Sequence, residues 1–335
     1  MASLTCLVPF ALLSVAACIH QAHAWSTQEE TVEEESEQQE ELDAQRWQLG
    51  YEQWQRQCVT HERSAGISTR IARGEAAEPG QFPHQVALLL QLNNGSLRQC
   101  GGTLITLQFV LTAGHCLTNA AGGKLFLGAT TYANATAAEA TFEVSRSNFN
   151  VYPGYLGFGG YHDLALIRLP HEVTPSERVQ PIALARQFMQ QPLLQGQLVI
   201  TSGWGATTDD ELNATARTPD QVDGLQYASV KVLEQQRCIC LFLPGLVNAR
   251  RHICTDGEGG RGACQGDSGG PLVYRWGNVS YLIGITSFGS ANGCEVDAPT
   301  VYTRITAYLE WIMDEAGIVD SQQSTVDSQL NAINA

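Results

Sequence analysis

Positive charge is scarce in this sequence. Its 335 residues include 19 Lys and Arg against 34 Asp and Glu, which gives a formal net charge of −15. Proteins that bind nucleic acids neutralise phosphates with clustered Lys and Arg, and the sequence contains no such cluster. We therefore exclude a nucleic acid as the partner of this chain.

Long apolar runs are also scarce. The mostly apolar run from Leu4 to Ala17 is too short to cross a bilayer of about 30 Å comfortably. It is followed by Ala22-His23-Ala24, a small-x-small cleavage signal, so residues 1–24 are predicted to be a secretory signal. An N-terminal membrane anchor is the alternative. No later stretch approaches the ~20 apolar residues of a membrane-spanning helix, and no membrane partner is expected.

The sequence has no tandem repeat and no His/Cys cluster with metal-ligand spacing that is independent of disulfides. We expect neither a metal nor another cofactor. Of the ten cysteines, Cys6 and Cys18 lie in the predicted signal. The other eight enter an oxidising compartment if the chain is secreted, so disulfides are expected. Four N-x-S/T sequons are candidate glycan sites on surface loops, at Asn94, Asn134, Asn213 and Asn278.

Composition divides the rest of the chain into three parts. Residues 25–70 hold eleven acidic residues and four Arg, so they contribute −7 to the net charge and residues 71–335 the remaining −8. Such an acidic leader cannot bury enough apolar surface to fold alone. Residues 71–316 have the composition of a folded domain. Residues 317–335 are small and polar, and we predict a disordered tail there.

Short apolar or alternating runs recur after residue 71, separated by Gly, Asn, Asp and Pro. Such a pattern predicts an all-β sandwich or barrel. The runs are Gln85–Gln91, Leu104–Thr112, Asp163–Leu169, Leu198–Ser202, Ala228–Leu233, Pro271–Arg275, Tyr281–Phe288 and Thr300–Thr303. Residues Ala307–Ala316 have helical spacing and predict a closing helix.

Three segments carry the candidate chemistry. Ser268 lies in Gly266-Asp267-Ser268-Gly269-Gly270-Pro271, where flanking glycines permit a tight turn, but a serine hydroxyl needs a base to become a nucleophile. His115 follows an apolar run and precedes Cys116, which offers a brace for its turn. Asp163 stands at the head of another apolar run, where a buried carboxylate requires a partner.

These segments resemble the chymotrypsin-like (trypsin-fold) serine peptidases over about residues 71–316. Eight motifs occur in the order that this family shows: Ile71-Ala72-Arg73-Gly74, Gln81-Phe82-Pro83, Cys100-Gly101-Gly102-Thr103-Leu104-Ile105, Thr112-Ala113-Gly114-His115-Cys116, Asp163-Leu164-Ala165-Leu166, Ser202-Gly203-Trp204-Gly205, Cys264-Gln265-Gly266-Asp267-Ser268-Gly269-Gly270-Pro271 and Val301-Tyr302-Thr303-Arg304. The resemblance implies two six-stranded antiparallel β-barrels with a C-terminal helix.

The resemblance also implies roles for the three residues. Ser268 attacks the scissile carbonyl, His115 takes and returns the proton, and Asp163 orients the imidazole while staying ionised. The N–H groups of Gly266 and Ser268 form the oxyanion hole. A non-catalytic binding homologue is the alternative, and the presence of all three residues argues against it.

A precursor is implied by the same resemblance. Cleavage between Arg70 and Ile71 would free an α-amine on Ile71, which pairs in this family with the acid before the nucleophile, here Asp267. Residues 25–70 are then a propeptide, and a trypsin-like protease is the activating partner. Arg73 departs from the family pattern, which has a small residue there. Protein and peptide substrates are the other expected partners, with protein inhibitors as candidates, and the enzyme is expected to be a monomer.

By resemblance, Cys100 pairs with Cys116, and Cys264 pairs with Cys294. Cys254 pairs with Cys240 or Cys238, and the fourteen-residue spacing of Cys240–Cys254 fits the family better. Cys58 and the remaining cysteine would then tether the leader to the domain. Free thiols or an intermolecular bond are the alternatives.

Five residues are expected by resemblance to bind substrate. Gly262 lies at the base of the specificity pocket, where the absence of a carboxylate disfavours Arg or Lys before the scissile bond. Ser287, Phe288 and Gly289 form the edge that pairs with the substrate, and Thr300 narrows the pocket. This favours cleavage after Phe, Tyr or Leu, with an elastase-like preference as the alternative.

Two acids near the pocket leave a basic preference open, since Glu295 and Asp297 are close to it in sequence. Loop acids are more often solvated. Two roles compete. A broad digestive endopeptidase is favoured by the apolar pocket, whereas a narrow cascade protease is favoured by the long acidic leader.

Overall fold

A computed structural model of the chain describes residues 45, 46, 48–58, 74–131, 138–157, 160–186, 194–209 and 224–319. The predicted signal, the Arg70–Ile71 bond and most of the tail therefore lie outside the described residues. The chain divides into two compact units, Met1–Gln57 and Cys58–Ala335. A helix (α1) covers residues 48–58, and its residues 48–57 belong to the first unit. The rings of Tyr51 and Trp54 stack in it with centroids 5.9 Å apart.

The second unit is built on two curled antiparallel half-barrel sheets. Among the described residues, the first sheet has seven strands in the order β6-β5-β2-β3-β4-β8-β7. Its strands are β2 (Gln85–Leu92), β3 (Leu97–Leu104), β4 (Phe109–Thr112), β5 (Ala120–Leu127), β6 (Ala140–Ser145), β7 (Phe149–Val151) and β8 (Ala165–Arg168). Alternation is clear in β6, where Phe142 and Val144 are buried and Glu143 between them is exposed, as in a sheet with one solvated face.

The second sheet has eight strands within the described ranges, in the order β1-β11-β10-β13-β14-β15-β12, with β9 parallel to β14. Its strands are β1 (Glu75–Ala76), β9 (Ala183–Leu184), β10 (Leu198–Gly203), β11 (Gln226–Lys231), β12 (His252–Thr255), β13 (Pro271–Trp276), β14 (Val279–Phe288) and β15 (Thr300–Arg304). Its core includes Leu272, Ile283 and Tyr302.

The predicted all-β fold with two antiparallel sheets and a C-terminal helix is confirmed. The expected six strands per barrel become seven and eight in the described part of the chain, because short strands such as β1, β7 and β9 extend the sheets. The predicted run Leu104–Thr112 is the end of β3, a turn and β4. Strand β5 was missed because Gly122 and Gly123 interrupt its apolar pattern.

The two sheets approach each other at a pair of glycines. A Cβ on Gly101 of β3 would lie 2.9 Å from the Cα of Gly270, which precedes β13. The N–H of Gly101 donates to the carbonyl of Ser268 at 2.7 Å. Only residues without side chains permit this approach, so the glycines of both motifs bring the two halves of the site together.

Three helices occur in the second unit among the described residues: α2 (Gly114–Leu117), α3 (Gln235–Leu241) and α4 (Leu309–Ala316). Short 3-10 helices cover Arg146–Asn148 and Ile305–Ala307. Helix α4 ends where the sequence predicts. Gly317 adopts a left-handed conformation with φ of 65°, and its N–H donates to the carbonyl of Asp314. None of the described helices is long and apolar enough to cross a membrane.

The structure contains the expected bonds Cys100–Cys116 and Cys264–Cys294. The expected bond Cys240–Cys254 is wrong, because Cys254 is bonded to Cys238 and Cys240 to Cys58. The reason is the direction in which each cysteine side chain projects from α3. Cys238 is fully buried and packs with Cys254 in one core cluster, whereas Cys240, two residues later, points to another side of the helix and is half-buried.

Candidate active site

His115 is held at both its backbone and its side chain by one carboxylate. It lies in α2, directly after β4, and its Nδ1 is 2.8 Å from Oδ2 of Asp163. Its backbone N–H donates to Oδ1 of the same carboxylate at 2.8 Å. The imidazole side chain is 31% exposed and the Asp163 side chain only 2%. The imidazole can therefore meet a ligand, while the carboxylate is shielded from solvent.

Asp163 precedes β8 and is buried among hydrogen-bond donors. Ser287 donates its hydroxyl to Oδ2 of Asp163 at 2.6 Å, and Thr303 donates to the Asp163 carbonyl at 2.8 Å. Burial alone would raise the pKa of Asp163, but the hydrogen bonds and charge of His115 and the Ser287 hydroxyl hold this pKa below its ordinary value. An ionised Asp163 only accepts hydrogen bonds, so Nδ1 of His115 carries the proton and Nε2 is the free basic nitrogen.

The loop of Ser268 is fixed from several sides. The carboxylate of Asp267 accepts the N–H of Gly205 at 2.6 Å and that of Cys264 at 2.9 Å. The N–H of Gly269 donates to the carbonyl of Thr286 at 2.9 Å. These bonds join the loop to the segment after β10 and to β14, so the position of Ser268 depends on the second sheet.

Two backbone donors in this loop are available to a ligand. Gly266 has φ of 102°, a conformation that glycine adopts readily. Within the described residues, the N–H groups of Gly266 and Ser268 donate to no protein acceptor. Paired donors of this kind can stabilise a developing negative charge.

The sulfur of Cys116 lies between the two motifs. It is 3.8 Å from Nε2 of His115 and 3.5 Å from the carbonyl oxygen of Ser268. The imidazole and the Ser268 backbone are therefore neighbours. Cys100, His115 and Cys116 cluster closely enough to suggest metal ligands, but both sulfurs belong to one disulfide and offer no thiolate.

A cavity of about 210 Å³ opens beside Ser268. All five residues expected to bind substrate line it: Gly262, Ser287, Phe288, Gly289 and Thr300. A Cβ on Gly262 would lie 2.8 Å from Oγ1 of Thr300, so this hydroxyl reaches the base of the cavity. At Gly289 a Cβ would meet nothing within 4 Å, which leaves that wall open.

The acids near this cavity point elsewhere. Asp297 accepts the N–H of Gly260 at 3.0 Å, and Glu295 accepts the N–H of Asp209 at 2.8 Å. Neither acid lines the cavity. Of the described residues that line it, Arg261 alone carries a formal charge. A substrate cation would therefore meet no carboxylate there.

A smaller cavity of about 30 Å³ adjoins Asp267. It is lined by Gly74, Gly203, Gly205 and other residues of β10 and β11. Arg70 and Ile71 of the expected activation site lie outside the described residues, but Gly74 is only three residues beyond Ile71. The described chain thus resumes, at Gly74, on the cavity that adjoins Asp267.

Sequence reasoning missed two contributions to the site. The Ser287 hydroxyl contacts Asp163 although 124 residues separate them, and this contact has no local signal in the sequence. Arg98 donates hydrogen bonds to the segment that carries His115. Its place two residues before Cys100 was a usable signal, because residues two apart on a strand face the same side.

Comparison with known proteins gives a consistent result. The family model described as Trypsin matches residues 71–312. Brachyurin from Leptuca pugilator is 35% identical over 248 residues, which is 74% of this chain and 99% of that protein. Chymotrypsin-C from Bos taurus is 32% identical over 249 residues, which is 73% of this chain and 88% of that protein.

A solved structure gives the same picture of the fold. The structure of HL collagenase aligns with a TM-score of 0.63 at 32% sequence identity and covers 74% of this chain and 99% of the collagenase chain. A collagenase from Hypoderma lineatum is 34% identical over 251 residues, with 75% of this chain and 88% of that protein covered.

Proposed function

The chain belongs to the trypsin family of serine endopeptidases, and from this premise we propose that it is a secreted zymogen that cleaves peptide bonds after apolar residues. Ser268 is the nucleophile, His115 the general base and Asp163 the residue that orients it. The observation that carries the proposal is the pair of hydrogen bonds that join the Asp163 carboxylate to the side chain and the backbone N–H of His115, both at 2.8 Å.

The proposed reaction uses acyl transfer. Nε2 of His115 takes the proton of the Ser268 hydroxyl as its oxygen attacks the scissile carbonyl, and the imidazolium then protonates the leaving amine. Water hydrolyses the acyl-enzyme by the same steps. The ionised, buried Asp163 stabilises the imidazolium. The N–H groups of Gly266 and Ser268 stabilise the oxyanion, and a single oxyanion-hole donor contributes about 3–4 kcal/mol in an unrelated serine peptidase that uses the same type of mechanism.

Activation is proposed to occur by cleavage between Arg70 and Ile71. The family match begins at residue 71, and Gly74 lies on the cavity that adjoins Asp267, which supports insertion of a new Ile71 amine there. The half-buried carboxylate of Asp267 holds the loop of Ser268 through the N–H groups of Gly205 and Cys264, so a charged partner for this carboxylate would act directly on that loop. A trypsin-like protease that cuts after Arg70 is the proposed activator.

The bond Cys58–Cys240 supports a leader that stays attached after activation. It closes a covalent link across the predicted cleavage site, because Cys58 precedes Arg70 and Cys240 lies in α3. The active enzyme would then consist of two disulfide-linked chains. Four disulfides in the described residues also support secretion into an oxidising compartment.

Large or medium apolar residues, namely Phe, Tyr or Leu, are the proposed preference before the scissile bond. The absence of acids from the cavity lining, within the described residues, argues against Arg and Lys. Thr300 at the cavity base supports an elastase-like preference as the second candidate, since its side chain reduces the depth available. A digestive role is the proposed setting, with protein substrates and protein inhibitors as partners.

The test is to treat the purified precursor with trypsin and to determine the new N-termini. The product is then assayed on peptides that differ only in having Phe, Leu, Ala or Arg before the cut. Activity that appears with the Ile71 terminus, and that is greatest on Phe or Leu, is the expected result. Precursor carrying Ser268→Ala, treated identically, is the control for contaminating trypsin.

Each other outcome changes a different part of the proposal. Greatest activity on Ala would favour the elastase-like preference. Greatest activity on Arg, in excess of the Ser268→Ala control, would overturn the assigned pocket. Absence of activity from a product with the Ile71 terminus would overturn the general endopeptidase role.

A further inference from the structure

Helix α2 is very short, and its C-terminal carbonyl groups need partners. In any α-helix the last four carbonyls have no intrahelical donor, and they carry partial negative charge. Because α2 spans only Gly114–Leu117, the carbonyl of His115 itself is one of this group. The backbone conformation at His115 therefore depends on donors from outside the helix.

Arg98 supplies such donors from β3. Its Nη1 lies 2.5 Å from the carbonyl oxygen of His115, 3.2 Å from that of Thr118 and 3.3 Å from that of Cys116. One half-buried guanidinium group thus contacts three carbonyl groups at the negative end of the helix. Its position in a strand of the first sheet gives it a rigid base.

The neighbouring residues of β3 hold the same segment. Cys100 faces the same side of the strand as Arg98 and is bonded to Cys116. Gly101 accepts the Thr112 hydroxyl at 2.8 Å and donates its N–H to the carbonyl of Ser268. The strand therefore joins the His115 helix and the Ser268 loop into one framework, and Arg98 is its contact with the His115 carbonyl.

We propose that Arg98 is a positioning residue for His115, fixing the general base from its carbonyl side as Asp163 fixes it from its amide side. This inference rests on the proposed role of His115. The His115 backbone is hydrogen-bonded at both its polar groups: its N–H donates to Asp163 and its carbonyl accepts from Arg98. The direction of the imidazole is therefore set before a substrate binds. Misplacement of a catalytic group by about 1 Å can cost about 100-fold in rate.

The experiment compares Arg98→Met and Arg98→Lys with the wild-type enzyme after activation. For Arg98→Met we expect kcat to fall about 10- to 100-fold with KM changed less than about twofold. Arg98→Lys keeps the charge but cannot reach three carbonyls, so kcat should recover in part.

Arg178→Met is the matched control. Arg178 also belongs to the first half of the unit and donates to a backbone carbonyl, that of Gly128, while its Nε lies 3.6 Å from Glu139. The Arg178→Met substitution should lower the melting temperature about as much as Arg98→Met does, and it should leave kcat unchanged. Equal kcat in Arg98→Met and wild type, or an equal loss in Arg178→Met, would overturn the proposal.

Two further outcomes separate this inference from the function on which it rests. If Arg98→Met does not fold, Arg98→Lys carries the test, because an unchanged kcat in that variant contradicts a requirement for the three-carbonyl contact. If wild-type enzyme with the Ile71 terminus is inactive, the proposed function fails, whatever the variants do.

Discussion

The two halves of the site are held in place by different means. His115 and Asp163 belong to the first sheet, and they are fixed by a direct hydrogen-bonded pair, by Arg98 and by the bond Cys100–Cys116. Ser268 and the cavity beside it belong to the second half, and they lie on loops that depend on the half-buried carboxylate of Asp267. The comparison teaches that the proposed control by cleavage would need to act on the second half only, because the proposed general base is already held in place in the first half.

The largest expected effect comes from breaking the first half at Asp163. Asp163→Asn should lower kcat by about 10⁴-fold, because an amide can donate to Nδ1 and so favours the wrong imidazole tautomer. The measurement is kcat of the activated enzyme, with its melting temperature as a check of the fold. A loss below about 10-fold would show that Asp163 does not fix the tautomer.

A substitution at Asp267, in the second half, should lower activity less than Asp163→Asn does. Its effect on stability should depend on whether the chain has been activated. Asp267→Asn removes the charge that accepts the N–H groups of Gly205 and Cys264, so we expect kcat/KM to fall about 10²- to 10³-fold, comparable to the loss of an oxyanion donor. Melting temperatures of precursor and activated enzyme should show the larger decrease in the activated form. Asp314→Asn, a change at an exposed position of α4, is the matched control.

Acid sensitivity should come from the first half. His84 is buried before β2, its Nε2 has no hydrogen-bond partner among the described residues, and burial lowers its pKa from 6.5 to about 4. A group with a lowered folded-state pKa that must stay neutral stabilises the fold above pH 6.5. This stabilisation is lost as the pH falls towards 4, by a total of about 3 kcal/mol.

The measurement for His84 is the free energy of unfolding in urea across that pH range. His84→Phe, next to the ring of Phe82, should make the free energy of unfolding depend less on pH between pH 6.5 and 4. His171→Phe, at a more exposed histidine of the same half, is the control and should leave the slope as in wild type. A slope unchanged by His84→Phe would contradict the assignment.

The smallest effect on activity is expected at the tether. Cys240→Ser should release the leader after cleavage at Arg70 without changing kcat, because neither Cys58 nor Cys240 lines the cavity beside Ser268 or hydrogen-bonds to His115 or Asp163. Non-reducing gels should show a fragment of about 5 kDa leaving this variant only, as its residue count predicts. Release of the fragment from wild-type enzyme without a reductant would disprove the tether.

The sequence predicted the fold and the residues of the site better than it predicted their connections. His115, Asp163 and Ser268 lie in compact motifs, and a motif is a local property. The pairing of Cys254 depended on which face of α3 packs against the core. The spacing between two cysteines in the sequence does not tell which face that is. The contacts of Ser287 with Asp163 and of Arg98 with His115 join segments far apart in sequence, so only the folded chain displays them.

The bond between Cys58 and Cys240 would also determine which electrostatic field the enzyme carries after the proposed cleavage at Arg70. Residues 25–70 contribute −7 and residues 71–335 contribute −8 to the formal charge, so a retained leader nearly doubles the negative charge of the active species. Such a molecule is repelled by anionic surfaces and is attracted to cationic ones, and both effects weaken as salt rises. Reduction of one disulfide would thus change where the enzyme adsorbs and how it migrates in an electric field, with its catalytic groups untouched.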